Sequence, residues 1–327
     1  MPPQPYIAPM LVMPNDTLTT DEPRAAFRRL TLDAPGGRIA GLAFGPEAGG
    51  PDIVFLHATG FNARTYRAML APLGERFAVW AIDARGHGRT HLPAKLWGYS
   101  SWRRHRDDLI AVLEKHATRP VTLAGHSMGG TVSLLAAAKR PDLVSSLALL
   151  DPVIMPAAMY AAFEAPLGPL IMRNVFPLAR GAARRRARFA SREEALQAFV
   201  GRGVFKTFPT EVVEDYVADG VIEDDKNGGF KLACAPAFEA ATFCAQRNDP
   251  WGALRRVRAP IVMLRAEKNS TVRDAAAHRI AALKPDARLA VVEGASHMLA
   301  IERPDRARAA IESAVLMGGR DWRAGVD

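Results

Sequence analysis

Short apolar runs alternate with stretches of helical periodicity along two separate parts of the chain. The runs that predict core strands cover residues 52–57, 77–83, 120–125, 146–151, 261–264 and 288–292. The helical stretches between them cover residues 63–73, 101–116, 131–139, 274–283 and 305–316. Two further runs, 27–33 and 38–44, flank a Pro-Gly-Gly turn and predict a hairpin. Because strands that alternate with helices build a sheet covered on both faces, the sequence predicts an α/β fold with about eight, mostly parallel strands.

This alternation stops between residues 153 and 250. The stretch is rich in Ala, Arg and Met, contains several prolines and has no clear strand pattern. We therefore predict a helical cap that is inserted into an α/β core formed by residues 26–152 and 251–327. Residues 1–25 are interrupted by six prolines, and we predict an extended N-terminal arm there.

The segment Gly125-His126-Ser127-Met128-Gly129 lies between a predicted strand and a predicted helix. A serine at such a junction occupies a sharp turn, where a side chain two residues before or after it would collide with the backbone. The turn lifts the serine hydroxyl above the sheet. It also directs the N–H of Met128, at the start of the helix, towards the place where an oxyanion would form. Ser127 is therefore the candidate nucleophile.

A serine hydroxyl needs a base, and the segment Gly294-Ala295-Ser296-His297 follows the last predicted strand. A histidine in that loop can fold back over the carboxyl edge of a parallel sheet. There it could accept the serine proton and later deliver it to the leaving group. We predict that His297 is this base.

These motifs resemble those of the α/β-hydrolase fold family. The resemblance covers residues 27–151 and 255–316, and it rests on four segments in the same order as in the family. The segments are His57-Ala58-Thr59-Gly60-Phe61, Asp83-Ala84-Arg85-Gly86-His87-Gly88, Gly125–Gly129 and Gly294–His297. The insertion at 153–250 sits where this family places a helical lid.

The resemblance also implies roles for the residues of the first two segments. The backbone N–H of Thr59 is expected to be the second oxyanion donor, although Ala58 replaces the glycine that is usual before it. His57, Arg85 and His87 are typical of the family. We expect them to hold loops by hydrogen bonds and to take no part in the chemistry.

The acid that orients His297 is less clear from the sequence. The family usually supplies an aspartate after its seventh strand, and Asn269 occupies that position here. Asp151, at the end of the sixth predicted strand, and Glu267, two residues before Asn269, are the two substitutes. We favour Asp151, because the end of a strand positions a side chain more firmly than a loop does. Glu267 stays open as the alternative.

The net charge is +9, with 43 Lys and Arg against 34 Asp and Glu. The most basic cluster consists of Arg180, Arg184, Arg185, Arg186 and Arg188. It could attract an anionic substrate or a membrane surface. We interpret it as a solvated helix face, and no nucleic-acid partner is expected, because no nucleic-acid-binding motif accompanies it.

The sequence also limits cofactors and location. Histidines and cysteines occur without the spacing of a metal site, and the glycine-rich stretches lack the Lys-Ser/Thr of a phosphate loop, so no metal or other cofactor is predicted. Cys234 and Cys244 are interpreted as reduced thiols. The sequence contains no run of about 18 apolar residues, so no membrane span is predicted. The first residues lack the pattern of a signal peptide, so a cytoplasmic location is expected, and a homodimer is left open.

The predicted function is the hydrolysis of a small carboxylic ester or lactone through an acyl-enzyme. A C–C bond hydrolase or a cofactor-free haloperoxidase would use the same serine, histidine and acid. A ligand receptor with little turnover is an alternative from another class, because Asn269 departs from the family pattern. Epoxide hydrolases and haloalkane dehalogenases are disfavoured, since they need an aspartate where Ser127 stands.

Overall fold

A computed structural model describes residues 26–47, 49–165 and 168–319, so the predicted arm at residues 1–25 lies outside the described residues. The strands are β1 (Arg28–Ala34), β2 (Gly37–Phe44), β3 (Ile53–Leu56), β4 (Val79–Ile82), β5 (Val121–His126), β6 (Val144–Leu150), β7 (Arg188–Phe189), β8 (Val221–Glu223), β9 (Phe230–Leu232), β10 (Ile261–Ala266) and β11 (Arg288–Val292). Eight of them form one sheet in the order β1-β2-β4-β3-β5-β6-β10-β11. Only β2 pairs antiparallel to its neighbours, β1 and β4. The predicted α/β architecture with a mostly parallel, eight-stranded sheet is therefore confirmed.

Helices cover both faces of this sheet, and further helices form the inserted stretch. They are α1 (Arg67–Leu70), α2 (Arg103–His116), α3 (Met128–Lys139), α4 (Ala157–Glu164), α5 (Gly168–Val175), α6 (Pro177–Ala183), α7 (Arg192–Phe199), α8 (Thr210–Gly220), α9 (Pro236–Cys244), α10 (Pro250–Arg256), α11 (Asp274–Leu283), α12 (Leu299–Glu302) and α13 (Pro304–Met317). The side chains of successive residues of β3 pack into the apolar clusters on opposite faces of the sheet. Ile53 and Phe55 pack with α1 and α13, whereas Val54 and Leu56 pack with α2 and α3. This strand is buried on both faces, which explains why it reads as a continuous apolar run.

The predicted helix at 63–73 is less regular than expected. The chain forms a 3-10 turn at Ala63–Tyr66, the single turn α1, and a second 3-10 turn at Ala71–Glu75. Pro72 lies near the start of this second turn, where the missing N–H of a proline costs little. Asn62 caps the first turn by accepting a hydrogen bond from the N–H of Thr65.

The inserted stretch contains strands that the sequence analysis did not predict. Besides α4–α9 it holds a three-stranded antiparallel sheet in the order β7-β9-β8. The sequence analysis predicted the helical character of this stretch but not these three strands. Strands of two or three residues are too short to produce an alternating pattern, and this explains why the sequence did not reveal them.

Helix α8 of the inserted stretch is fixed to the α/β core by a buried ionic cluster. Asp215 accepts hydrogen bonds from the Nε atoms of Arg64 and Arg67 at 3.0 and 2.7 Å. Asp219 pairs with Arg29 at 2.5 Å and with Arg89 at 2.8 Å. Both aspartate side chains are almost fully buried. Burial opposes the charged form of Asp219, but the hydrogen bonds and charges of its arginines outweigh burial and hold its pKa below the usual range.

Aromatic rings make a second junction between the two parts. Phe61, in the loop after β3, contacts Phe205, Phe208 and Tyr216 with ring centroids 5.7–6.0 Å apart. All four side chains are buried. Because such rings contribute both apolar burial and edge-to-face contacts, this side of the inserted stretch is held closely against the core.

Candidate active site

Ser127 lies at the tip of a sharp turn between β5 and α3. Its backbone angles, φ 54° and ψ −117°, are rarely adopted by residues other than glycine. A Cβ atom on Gly125 would lie 2.4 Å from the carbonyl carbon of Gly129, and one on Gly129 would lie 2.1 Å from the carbonyl oxygen of Leu56. A side chain at either position would collide with the backbone, so both glycines are needed for this turn. The Ser127 N–H donates to the carbonyl of Leu150 at 3.0 Å and fixes the turn to β6.

The structure brings Ser127, His297 and Asp151 together from three different loops. His297 Nε2 lies 3.0 Å from Ser127 Oγ, and His297 Nδ1 lies 2.5 Å from Asp151 Oδ2. Since a carboxylate only accepts hydrogen bonds, Nδ1 carries the proton and Nε2 is free to accept from the serine. The Asp151 side chain is fully buried, whereas that of His297 is about one-fifth exposed. The arrangement can take a proton from the serine and hold the resulting imidazolium.

Asp151 is held by the loop in which the family usually carries its acid. Its Oδ1 accepts from the Ala266 N–H at 3.2 Å and from Ser270 Oγ at 2.5 Å, and its Oδ2 accepts from the Thr271 N–H at 3.3 Å. Within this loop Asn269 adopts the left-handed conformation, with a φ of 55°, and the backbone changes direction there. Ser270 and Thr271 were missed by the sequence analysis, because a hydroxyl and an amide that contact a distant carboxylate leave no spacing pattern.

Glu267 does not reach the histidine ring in this structure. It is exposed, and its Oε2 accepts a hydrogen bond from the Gly294 N–H at 2.6 Å. The side chain therefore braces the backbone of the loop that carries His297. Of the two carboxylates considered from the sequence, only Asp151 contacts the imidazole.

The N–H groups of Thr59 and Met128 are the two donors that the sequence analysis predicted for an oxyanion. The Ala58 N–H donates to Tyr66 Oη at 3.2 Å and the Gly60 N–H donates to His87 Nε2 at 3.0 Å. Within the described ranges, the N–H groups of Thr59 and Met128 donate to no protein acceptor. Thr59 Oγ1 lies 3.4 Å from Met128 Sδ, so the two residues are neighbours beside Ser127. An incoming carbonyl oxygen could thus find two unused donors.

The family-typical residues of the first two motifs make the loop contacts expected of them. His57 Nε2 accepts from the Ala84 N–H at 2.9 Å, and its Nδ1 lies 2.7 Å from the Ala58 carbonyl. Arg85 forms two hydrogen bonds with Asp108. Burial lowers the pKa of His57 to about 4 and that of His87 to about 3, so both rings are neutral near pH 7.

The basic cluster at 180–188 is not a helix face. Only Arg180 belongs to α6, and the other four arginines follow it. Arg185 is partly buried and donates to Glu239 Oε2 at 2.6 Å and to Tyr216 Oη at 2.8 Å. Arg188 pairs with Asp224 at 3.2 Å. Arg185 is thus drawn partly out of solvent, whereas the other four arginines of the cluster are exposed, as the interpretation of a solvated cluster expected.

Neither a metal site nor a membrane helix is found in the described part of the chain. Its His, Cys, Asp and Glu side chains form no group of three or more that could hold a metal ion. None of its helices has the length and apolar character needed to cross a bilayer. Cys234 and Cys244 are both buried thiols, and no disulfide joins them.

The order of these motifs around one sheet agrees with a comparison to known protein families. A model of the alpha/beta hydrolase family matches residues 53–310. The chain belongs to this family. The match includes the loop of Thr59, the turn of Ser127 and the loop of His297, so the resemblance stated from the sequence is confirmed.

Several proteins that resemble this α/β hydrolase in sequence or in structure are named as hydrolases. A 2-(acetamidomethylene)succinate hydrolase from Mesorhizobium japonicum is 28% identical over 254 residues, which cover 76% of this chain and 82% of the relative. An esterase from Mycobacterium tuberculosis is 35% identical over 123 residues, covering 38% of this chain and 39% of that protein. The crystal structure of E-2-(acetamidomethylene)succinate hydrolase superposes with a TM-score of 0.71 at 26% identity, covering 89% of this chain and 99% of the other.

Proposed function

We propose that this α/β hydrolase is a serine hydrolase that cleaves a small carboxylic ester or lactone through an acyl-enzyme. The observation that carries the proposal is the unbroken contact from Ser127 Oγ through both ring nitrogens of His297 to Asp151. These distances support the proposal, because acyl transfer requires a nucleophile, a base and an acid within hydrogen-bond reach of one another. A receptor without turnover would have no need of a serine held in a strained conformation beside an oriented imidazole.

The proposed reaction follows from these contacts. His297 Nε2 takes the hydroxyl proton while Ser127 Oγ bonds to the acyl carbon, and the carbonyl electron pair moves onto oxygen. The N–H groups of Thr59 and Met128 stabilise that oxyanion, and losing one such donor typically costs about 3–4 kcal/mol. The oxyanion collapses, the alkoxide leaves with the proton from His297, and an acyl-serine remains. Water then attacks the acyl carbon, with the same histidine as base, and releases the acid and the serine.

We further propose that residues 153–250 act as a cap over this site. Glu239 of α9 supports the idea: its Oε1 lies 2.4 Å from the position a Cβ on Gly60 would take, next to Thr59. The inserted stretch therefore reaches the loop that carries one proposed oxyanion donor. Such a cap would restrict the acyl groups that can enter.

An amide-bond hydrolase is a second candidate. The relative from Mesorhizobium japonicum acts on a compound with an acetamido group, and its match extends over most of both chains. Acyl transfer from an amide uses the same nucleophile, base and oxyanion donors. It differs in the leaving amine, which must be protonated before it departs.

A substrate panel tests both candidates. The purified chain is assayed with p-nitrophenyl acetate and butyrate, with γ-butyrolactone and with 2-(acetamidomethylene)succinate, and Ser127→Ala is the matched control. We expect turnover of the esters with an initial burst of p-nitrophenol, and no turnover by Ser127→Ala. Hydrolysis of the acetamido compound alone would favour the second candidate. A folded protein that hydrolyses none of these compounds would contradict the first proposal.

A further inference from the structure

A buried chain of hydrogen bonds runs behind the candidate site and joins two of its loops. The Ala58 N–H donates to Tyr66 Oη at 3.2 Å, and Tyr66 Oη lies 2.7 Å from His126 Nδ1. On the other side of that ring, His126 Nε2 lies 2.7 Å from the carbonyl oxygen of His297. Tyr66 and His126 are essentially inaccessible to solvent. These hydrogen bonds thus link Ala58, the residue before Thr59, to the backbone of His297, the proposed base.

The direction of each hydrogen bond is fixed by its partners. A carbonyl oxygen only accepts, so His126 Nε2 carries the proton and donates to His297. In a neutral ring Nδ1 is then the acceptor, and it receives the hydroxyl hydrogen of Tyr66. The Tyr66 oxygen keeps its lone pairs for the Ala58 N–H. With this tautomer of His126, every polar atom in the series of hydrogen bonds has a partner, so the buried network has a single arrangement.

We propose that Tyr66 and His126 are positioning residues that hold the oxyanion loop and the backbone of His297 at a fixed separation around Ser127. This inference rests on the proposed function. Neither residue needs to touch the substrate. His126 directly precedes Ser127, so the same ring also ties the nucleophile turn to the histidine loop.

The neutral state of His126 matters for this role. Its ring centroid lies 5.1 Å from that of His297, which becomes an imidazolium in the proposed reaction. A second positive charge at that distance would oppose formation of the imidazolium. Burial is the main reason that the pKa of His126 is lowered, to about 3, so the ring can donate to His297 without adding charge.

The substitution Tyr66→Phe removes one oxygen atom and tests the proposal against a matched control. Tyr99 is also buried, and its Oη lies 2.6 Å from Nε2 of another buried histidine, His105. Tyr99→Phe therefore deletes the same kind of bond in a pair that does not reach Ser127 or His297. Both variants should lose a similar amount of thermal stability.

The readouts are kcat and KM for p-nitrophenyl acetate, with active sites counted by a fluorophosphonate. We expect Tyr66→Phe to lower kcat per active site about 10-fold with KM within about twofold, because small displacements of reacting groups are costly. The rate of phosphonylation should fall by a similar factor. Tyr99→Phe should keep kcat within about twofold. Equal kcat values per active site for the two variants would overturn the proposal.

His126 provides a second test that does not depend on Tyr66→Phe folding. His126→Gln keeps an N–H that can donate to the His297 carbonyl, whereas His126→Leu removes it. We expect Gln to retain more of kcat than Leu by about 10-fold, and equal losses would contradict the inference. A wild-type protein without ester hydrolysis or phosphonylation would refute the proposed function itself. An active wild type with an unaffected Tyr66→Phe would refute this inference alone.

Discussion

Replacing Asp151 by asparagine should nearly abolish turnover, because no orientation of the amide reproduces the contacts of the carboxylate. One carboxylate oxygen accepts from Ala266 and Ser270, and the other accepts from Thr271 and His297. If the amide nitrogen takes the first position, it faces the Ala266 N–H. If it takes the second, it faces the Thr271 N–H and donates to His297 Nδ1. That donation moves the ring proton to Nε2, where it blocks proton transfer from the serine.

The magnitude follows from these losses. The imidazolium loses its countercharge, and the favoured ring tautomer no longer leaves Nε2 free to accept the serine proton. Together we expect a barrier higher by about 4 kcal/mol, which corresponds to a kcat lower by about 10³-fold. The assay is the hydrolysis of p-nitrophenyl acetate by Asp151→Asn, with the folded fraction checked by thermal denaturation.

Glu267→Gln is the matched control for this prediction. Glutamine can still accept the hydrogen bond from the Gly294 N–H, and the position is exposed. We expect its kcat to stay within about twofold of the wild type. If Glu267→Gln loses activity while Asp151→Asn keeps it, the assignment of the acid is refuted.

Two further predictions concern stability. Asp215→Asn should lower the free energy of unfolding by about 3 kcal/mol in urea titrations, because it removes the negative charge that pairs with the buried Arg67 and the partly buried Arg64. Asp107→Asn, at an exposed pair, should cost under about 0.5 kcal/mol, and equal effects would contradict the ionic anchoring of α8. The free energy of unfolding should also fall as the pH drops from about 6.5 to about 4. In this range buried histidines bind protons in the unfolded chain but stay neutral in the folded one. Burial lowers the pKa of four histidines to between about 3 and about 4; they are His57, His87, His105 and His126. Asp83, whose pKa burial raises to about 7, opposes the trend by one proton. His105→Gln should reduce the measured proton uptake on unfolding at pH 5 by about one, and an unchanged uptake would show that His105 is not buried as a neutral ring.

The core fold was predictable because its signals are local. The strand at 288–292 was predicted with the bounds that the structure has, and α11 likewise. Buried parallel strands need apolar residues on both faces, and the helices between them need an apolar stripe, so both periods are visible in the sequence. The turn of Ser127 was predictable for a steric reason, since Gly125 and Gly129 each touch backbone.

The supporting contacts of the site were not predictable. Ser270 lies 119 residues from Asp151 in the chain, and Tyr66 lies 60 residues from His126. Single hydroxyl groups at such separations have no characteristic neighbours in the sequence. The same holds for Arg185, whose partner Glu239 lies on α9, 54 residues away in the chain. The sequence indicated the candidate groups for the chemistry, while the three-dimensional packing decides which groups hold them in place.

The most direct test of the account is to find where a mechanism-based inhibitor bonds to the protein. A fluorophosphonate should modify a single side chain, Ser127, as located by mass spectrometry of the digested protein, and His297→Ala should slow the modification by at least about 10³-fold. A folded wild-type protein that remains unmodified, or one that is modified at another residue, would contradict the claim that Ser127 is a nucleophile activated by His297.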